Sequence, residues 1–341
     1  MKGLLTSRLF NVGGLGLLHT SRSFSLSAAT TSHQLKCSDG LKLAFDRVDF
    51  GGSASQNAPE TLLLHGWLDN SATFTPFLQN VGKNSNRNFW NLDFPGHGHS
   101  DHKSFDSPHV MVDYMFYVKT MVDHIRSETG VEKVSLVGHS MGSGVASAFA
   151  SVYPELVSDL VMIEGLGPLG RPTSEIGKHI RQNVDKRVLG NPVLSSGRER
   201  MYKNVEGAVE ARMKSATLAP GNQYISSESA RLIVERATKE GEGGVYFRHD
   251  KRLQWPSAQY FTEGQVRELL SGIDCRTLIV KAEDGWPSPN EEFTRGRMGA
   301  FKDGLLDVKV VKEGSHHCHM DERSRVEVAE GILEWWKGDV E

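Results

Sequence analysis

Gly138-His139-Ser140-Met141-Gly142 is the stretch on which the reading of this chain turns. It matches G-x-S-x-G, which is a weak pattern alone because Gly and Ser are common. Its flanks make it specific. Residues 133–137, Lys-Val-Ser-Leu-Val, form a short apolar run ending at Gly138 and read as a buried strand. Gly142, Ser143, Gly144, Ala146 and Ser147 then open a helix of small residues. A serine on so sharp a strand-to-helix turn has strained dihedrals, so the positions two residues either side must lack bulk. The following helix points its free N–H groups at negative charge developing near the serine. Ser140 is the candidate nucleophile, and the Met141 N–H is a candidate donor to an oxyanion.

Working outward, the same strand signal recurs. Residues 61–64 end in His65-Gly66, and residues 89–94 are closed by Pro95-Gly96-His97-Gly98. Residues 159–163 end in Glu164-Gly165, and residues 276–280 and 306–311 supply two more runs. Short apolar runs bounded by Gly are expected of strands covered on both faces, as in a parallel sheet. Helical patterns lie between them at 111–127, 141–152 and 321–337, so a doubly wound α/β domain is predicted. Residues 34–37 and 41–48 read as an opening antiparallel hairpin turned at Asp39-Gly40. Residues 168–265 break the alternation, being polar with few strand signals. They read as a helical cap inserted into a core of residues 31–167 and 266–341.

A serine hydroxyl needs a base. Gly314-Ser315-His316-His317-Cys318-His319 lies between the last strand and the last helix. His316 is the first candidate and His317 the alternative. Three clustered histidines can also hold a metal, but no acid or thiolate neighbours them at ligand spacing, and no metal or other cofactor is expected. Two carboxylates compete to orient the histidine. Glu164 closes the strand after the serine's helix, and Asp284 follows the 276–280 strand; both belong at the carboxyl edge of the sheet. The backbone N–H of Trp67, after His65-Gly66, would pair with that of Met141 as an oxyanion hole. Asp93-Phe94-Pro95-Gly96-His97-Gly98-His99-Ser100-Asp101 lacks any phosphate-loop frame and reads as structural.

Composition limits the rest. At 38% hydrophobic and 24% charged residues, a folded core is expected. A net charge of -3 gives no reason to expect nucleic acid as a partner. No stretch reaches the ~20 apolar residues of a membrane span. Cys37, Cys275 and Cys318 are odd in number and far apart, against a disulfide framework. Residues 1–30 contain Lys2, Arg8 and Arg22, many hydroxyls and no acid, the composition of a mitochondrial transit peptide. A secretory signal centred on residues 12–18 is the rival, diluted by Gly13, Gly14 and Gly16.

These motifs occur in the order and spacing of the α/β-hydrolases. Ile163-Glu164-Gly165-Leu166-Gly167-Pro168 and the His316 to Met320 stretch further resemble the serine hydrolase-like proteins of that superfamily. The resemblance covers residues 34–337. It implies an eight-stranded, mostly parallel sheet with helices on both faces and an inserted cap. It also bears on the acid: the usual position after the seventh strand falls on Gly285, whereas relatives such as the haloalkane dehalogenases place the acid after the sixth, where Glu164 stands. Glu164 is thereby favoured, with Asp284 left open. Serine rather than aspartate at the elbow implies acyl transfer from a small-molecule ester or thioester. A non-catalytic ligand-binding protein and a carbon–carbon hydrolase are the competing expectations.

Overall fold

A computed structural model describes residues 29–50, 58–105, 107–190, 200–218, 223–286 and 292–338. The expected targeting segment, residues 1–30, lies outside them except for its last two positions. In chain order the elements are β1 (Ala29–Lys36), β2 (Lys42–Asp49), β3 (Glu60–Leu64), α1 (Thr75–Val81), β4 (Asn88–Leu92), α2 (Met111–Thr129), β5 (Val134–His139), α3 (Met141–Val152) and β6 (Val157–Ile163). There follow α4 (Ile176–Leu189), β7 (Met201–Tyr202), α5 (Val205–Ala216), α6 (Ser227–Ala237), β8 (Thr238–Gly241), β9 (Gly244–Phe247) and α7 (Glu263–Ser271). The chain closes with β10 (Arg276–Ala282), α8 (Glu292–Met298), β11 (Leu306–Val311) and α9 (Arg325–Lys337).

Eight strands form one sheet in the order β1-β2-β4-β3-β5-β6-β10-β11. The pairs β1/β2 and β2/β4 are antiparallel, and every later pair is parallel. The opening hairpin turns at Asp39-Gly40, where Gly40 takes φ +89° and Asp39 accepts the Leu41 N–H. β3 and β5 are buried at every residue, which is why they read as unbroken apolar runs. Their side chains still alternate between two cores. Leu62, Leu64 and Leu136 pack with Val118 and Met121 of α2 and Phe149 of α3. Leu63 and Val137 face the other way, toward Phe77 of α1 and Ile332 and Trp336 of α9.

The inserted segment between β6 and β10 is not purely helical. β7, β9 and β8 form a three-stranded antiparallel sheet in that order. Its β8–β9 turn runs Gly241-Glu242-Gly243-Gly244 with Gly243 at φ +86°. These strands are only two to four residues long, so no apolar alternation announced them. The insert has its own core of Ala208, Val209, Ile233 and Val234. Two arginines bind it to the sheet: Arg236 of α6 reaches Asp93 at 2.9 Å and Asp46 at 3.0 Å, and Arg212 of α5 reaches Asp69 at 2.6 Å. Its last helix, α7, begins at Glu263 and lies against α3.

Candidate active site

Ser140 sits between β5 and α3 with φ 52° and ψ -114°, a left-handed conformation costly for a residue bearing a Cβ. The flanking glycines make the turn possible. A Cβ on Gly138 would lie 2.5 Å from backbone atoms of Gly142, and one on Gly142 would lie 2.0 Å from the Leu64 carbonyl oxygen. The helix therefore begins against the end of β3, which brings the Met141 amide and the His65-Gly66-Trp67 turn to the same edge. The Ser140 N–H donates to the Ile163 carbonyl at 3.0 Å, tying the elbow to β6.

Across that edge, the Ser140 Oγ lies 2.7 Å from Nε2 of His316, in the turn after β11. The other ring nitrogen, Nδ1, lies 3.3 Å from Oε2 of Glu164. Glu164 follows β6 directly, with φ 51°, and its side chain is fully buried. Its Oε1 accepts the Ala282 N–H at 2.7 Å and its Oε2 the Trp286 N–H at 3.0 Å. Burial works to raise this carboxyl, but the His316 hydrogen bond, the Lys281 ammonium and the Ala282 amide together hold it below the ordinary carboxylate value.

Asp284 is placed differently. Its side chain is exposed, and it enters the site through its backbone. Gln223 of the insert donates to the Asp284 carbonyl at 2.9 Å and accepts the His316 N–H at 2.8 Å. Gly285 explains why Glu164 fits. A Cβ there would fall 2.3 Å from Glu164 Oε1, so a side chain at 285 and the Glu164 carboxylate claim one space. His317 turns away from Ser140, with Nε2 3.1 Å from Asp69 Oδ2.

The Asp93–Asp101 turn buttresses the turn after β3. Asp93, fully buried, accepts the N–H groups of Ser71 and His99, each at 2.8 Å. A Cβ on Gly98 would sit 2.3 Å from its carboxylate. Nε2 of His65 accepts the Phe94 N–H at 2.9 Å, and Nε2 of His97 accepts that of Leu68 at 3.2 Å. Both must be neutral to accept, and burial depresses both imidazoles. His97 thus holds Leu68, at φ 60°, immediately after Trp67. The Trp67 indole donates to the Leu253 carbonyl at 2.9 Å. The Trp286 ring lies 6.3 Å from that of His316.

A second cluster lies behind His316. Nδ1 of His139, Nε2 of His317 and a carboxylate oxygen of Asp69 lie within 4.8 Å of one another, all buried. Such a trio has the donor set of a metal centre, and its acid, Asp69, stands far from the histidine-rich stretch in sequence. Arg212 crowds it: one guanidinium nitrogen donates to Asp69 Oδ1 at 2.6 Å and lies 3.2 Å from His317 Nε2. The positive charge that a metal would bring is already supplied by the protein. His139 uses Nε2 to donate to the His316 carbonyl at 2.8 Å, so this cluster fixes the backbone of His316. Burial, with neighbouring His319, His317 and His316, holds His139 well below the ordinary imidazole value.

Comparison with known proteins accords with this architecture. A family model described as the alpha/beta hydrolase fold matches residues 62–322. A serine hydrolase-like protein of Danio rerio is 31% identical over 268 residues, 76% of each chain. Serine hydrolase-like protein 2 of Homo sapiens is 24% identical over 303 residues, 84% of this chain and 90% of that one. Among solved structures, a hypothetical protein of Pseudomonas aeruginosa PAO1 superposes with a TM-score of 0.74 at 27% identity, covering 90% of this chain and 99% of the other. A thioesterase domain from the curacin biosynthetic pathway superposes with a TM-score of 0.71 over 91% and 99% of the two chains, and at 18% identity this likeness is one of fold. By its sheet order, its elbow and these matches, the chain belongs to the α/β-hydrolase fold family and resembles the serine hydrolase-like proteins within it.

Proposed function

We propose that the protein is a serine hydrolase that cleaves a carboxylic ester or thioester through an acyl-enzyme on Ser140. One observation carries this reading: a continuous hydrogen-bonded line from Ser140 Oγ through His316 to Glu164, at 2.7 and 3.3 Å. In the first half-reaction Oγ attacks the acyl carbon and His316 Nε2 takes its proton. Glu164 receives the Nδ1–H and stabilises the imidazolium. The oxyanion that forms is held by the backbone N–H groups of Met141 and Trp67, at the start of α3 and after β3. Collapse expels the alkoxide or thiolate, which takes the proton from Nε2. Water then repeats the sequence on the acyl-enzyme, releasing the acid and freeing Ser140.

Incubation with a fluorophosphonate probe tests the reading. Wild-type protein is expected to gain one phosphonyl group on the Ser140 peptide by mass spectrometry. Ser140→Ala should gain none and should lose turnover of p-nitrophenyl and thioester substrates by about 10³-fold or more. A well-folded wild-type protein that takes no label would argue instead for a ligand-binding role. We further propose mitochondrial targeting by residues 1–30, on their acid-free, Arg-bearing composition. A fusion of this segment to a reporter tests it by where the reporter accumulates.

A further inference from the structure

β10 carries an anomaly the triad does not use. Lys281 follows the apolar run Leu278-Ile279-Val280 in the buried part of its strand and has no exposure. A lysine almost never sits fully buried without a partner. Its partner is the acid of the site: Nζ lies 3.0 Å from Glu164 Oε2. The contact is an ion pair out of line for a hydrogen bond, since Nζ has no bonded partner. The carboxylate's orientation does not need it, because the Ala282 and Trp286 amides and His316 already occupy both oxygens. What Lys281 contributes is charge.

We propose that Lys281 is a positioning residue for the charge balance of the site, setting the pH at which His316 is free to act as a base. The inference rests on the hydrolase reading above. Glu164 and Lys281 form a pair with no net charge, so a proton on His316 gains only the attraction of a dipole. Without the ammonium, the imidazolium would face a bare buried carboxylate and would hold its proton to higher pH. The other groups around the pair do not substitute for Lys281. Cys318, in the turn after β11, is kept protonated by burial. Burial lowers the imidazoles of His139, at the end of β5, and of His317, whose rings lie 5.0 and 5.6 Å from that of His316. Asp69, after β3, is paired with Arg212 of α5. Lys281 is thus the one cation directly against Glu164 among the described contacts. It also stands on the strand whose following loop has Gly285 beside the carboxylate, so β10 here furnishes a counter-charge to an acid borne by β6.

The test uses two readouts on the full chain. Histidine ring NMR follows the titration of His316 in the resting protein, and the rate of fluorophosphonate labelling is measured from pH 5 to 9. In Lys281→Met, which keeps the length of the side chain and removes its charge, the His316 pKa should rise by about one unit or more. The acid limb of the labelling profile should rise with it, so that labelling below the limb slows roughly tenfold. The high-pH plateau should stay within about threefold of wild type, because the two amides still hold Glu164. Lys281→Arg, if the pocket accepts it, should restore the limb. Should the Met variant not fold, Lys281→Gln carries the same prediction with a polar, neutral group.

An unshifted His316 titration in a folded variant would overturn the proposal. So would a downward shift with a collapsed plateau, which would mean that Glu164 takes up a proton when the ammonium goes. Absence of any label on wild-type protein would instead sink the hydrolase reading, while the NMR titration would still decide whether Lys281 governs His316.

Discussion

At the scale of single residues, Glu164 and Gly285 form an exchange. The Glu164 carboxylate fills the volume that a side chain at 285 would enter, 2.3 Å from the position of a Cβ there. Glu164→Ala should lower acyl turnover by about 10³-fold, since the histidine loses both its tautomer and its orientation. Gly285→Asp alone should also impair the protein, by forcing a second carboxylate into an occupied buried site. The double variant removes the collision and should recover at least tenfold of roughly that 10³ loss. Steady-state kinetics on a p-nitrophenyl ester measure all three. Additive losses in the double variant would show that Glu164 is not exchangeable with position 285. Asp284→Asn, by contrast, should leave the rate within about twofold, because Asp284 reaches the site through its carbonyl.

At the scale of elements, the elbow depends on β5 and α3 approaching β3 without side chains between them. Gly142→Ala would push a methyl group to 2.0 Å from the Leu64 oxygen. Backbone has to move, and the expected loss is about 3 kcal/mol or more, read from the urea midpoint. A fully stable Gly142→Ala protein would contradict the described entry of α3. The elbow, its preceding strand and its helix were all legible from spacing. The small sheet of the insert was not, because β8 and β9 are only four residues each and Val245 is the single buried residue between them. Strands this short cannot write an alternating pattern long enough to read.

At the scale of the whole molecule, several imidazoles lie in the interior. His65, His97, His139, His317 and His319 are buried, and burial lowers each, His319 to about 3. Unfolding returns each to an ordinary value near 6.5. Between that value and the depressed folded values the unfolded chain binds more protons, so stability is full above about pH 6.5 and is lost as pH falls. Lowering the pH from 7.5 to 5.5 should therefore lower the stability, since each depressed histidine contributes up to about 1.4 kcal/mol per pH unit below its unfolded value. Urea unfolding at the two pH values checks this, and an unchanged midpoint would mean these rings are charged or exposed. The same rings adjoin the two arginine ties, so acid should loosen the insert along with the core.

Local pattern was enough to set out the main sheet and to single out Ser140 and the histidine-rich turn as candidates, because each depends on short-range constraints. Apolar runs demand burial, glycines admit a sharp turn, and a histidine after the last strand has one edge to reach. Pattern could not choose between Glu164 and Asp284, since both stand at the carboxyl edge of the sheet on strands that sequence shows only as neighbours. What pattern lacked is the side-by-side placement of β6 and β10, which sets Glu164 against two amides, an ammonium and the imidazole. Lys281, Asp69 and Arg212 were equally beyond reach, for a buried charge is defined by a partner that the fold brings from far along the chain.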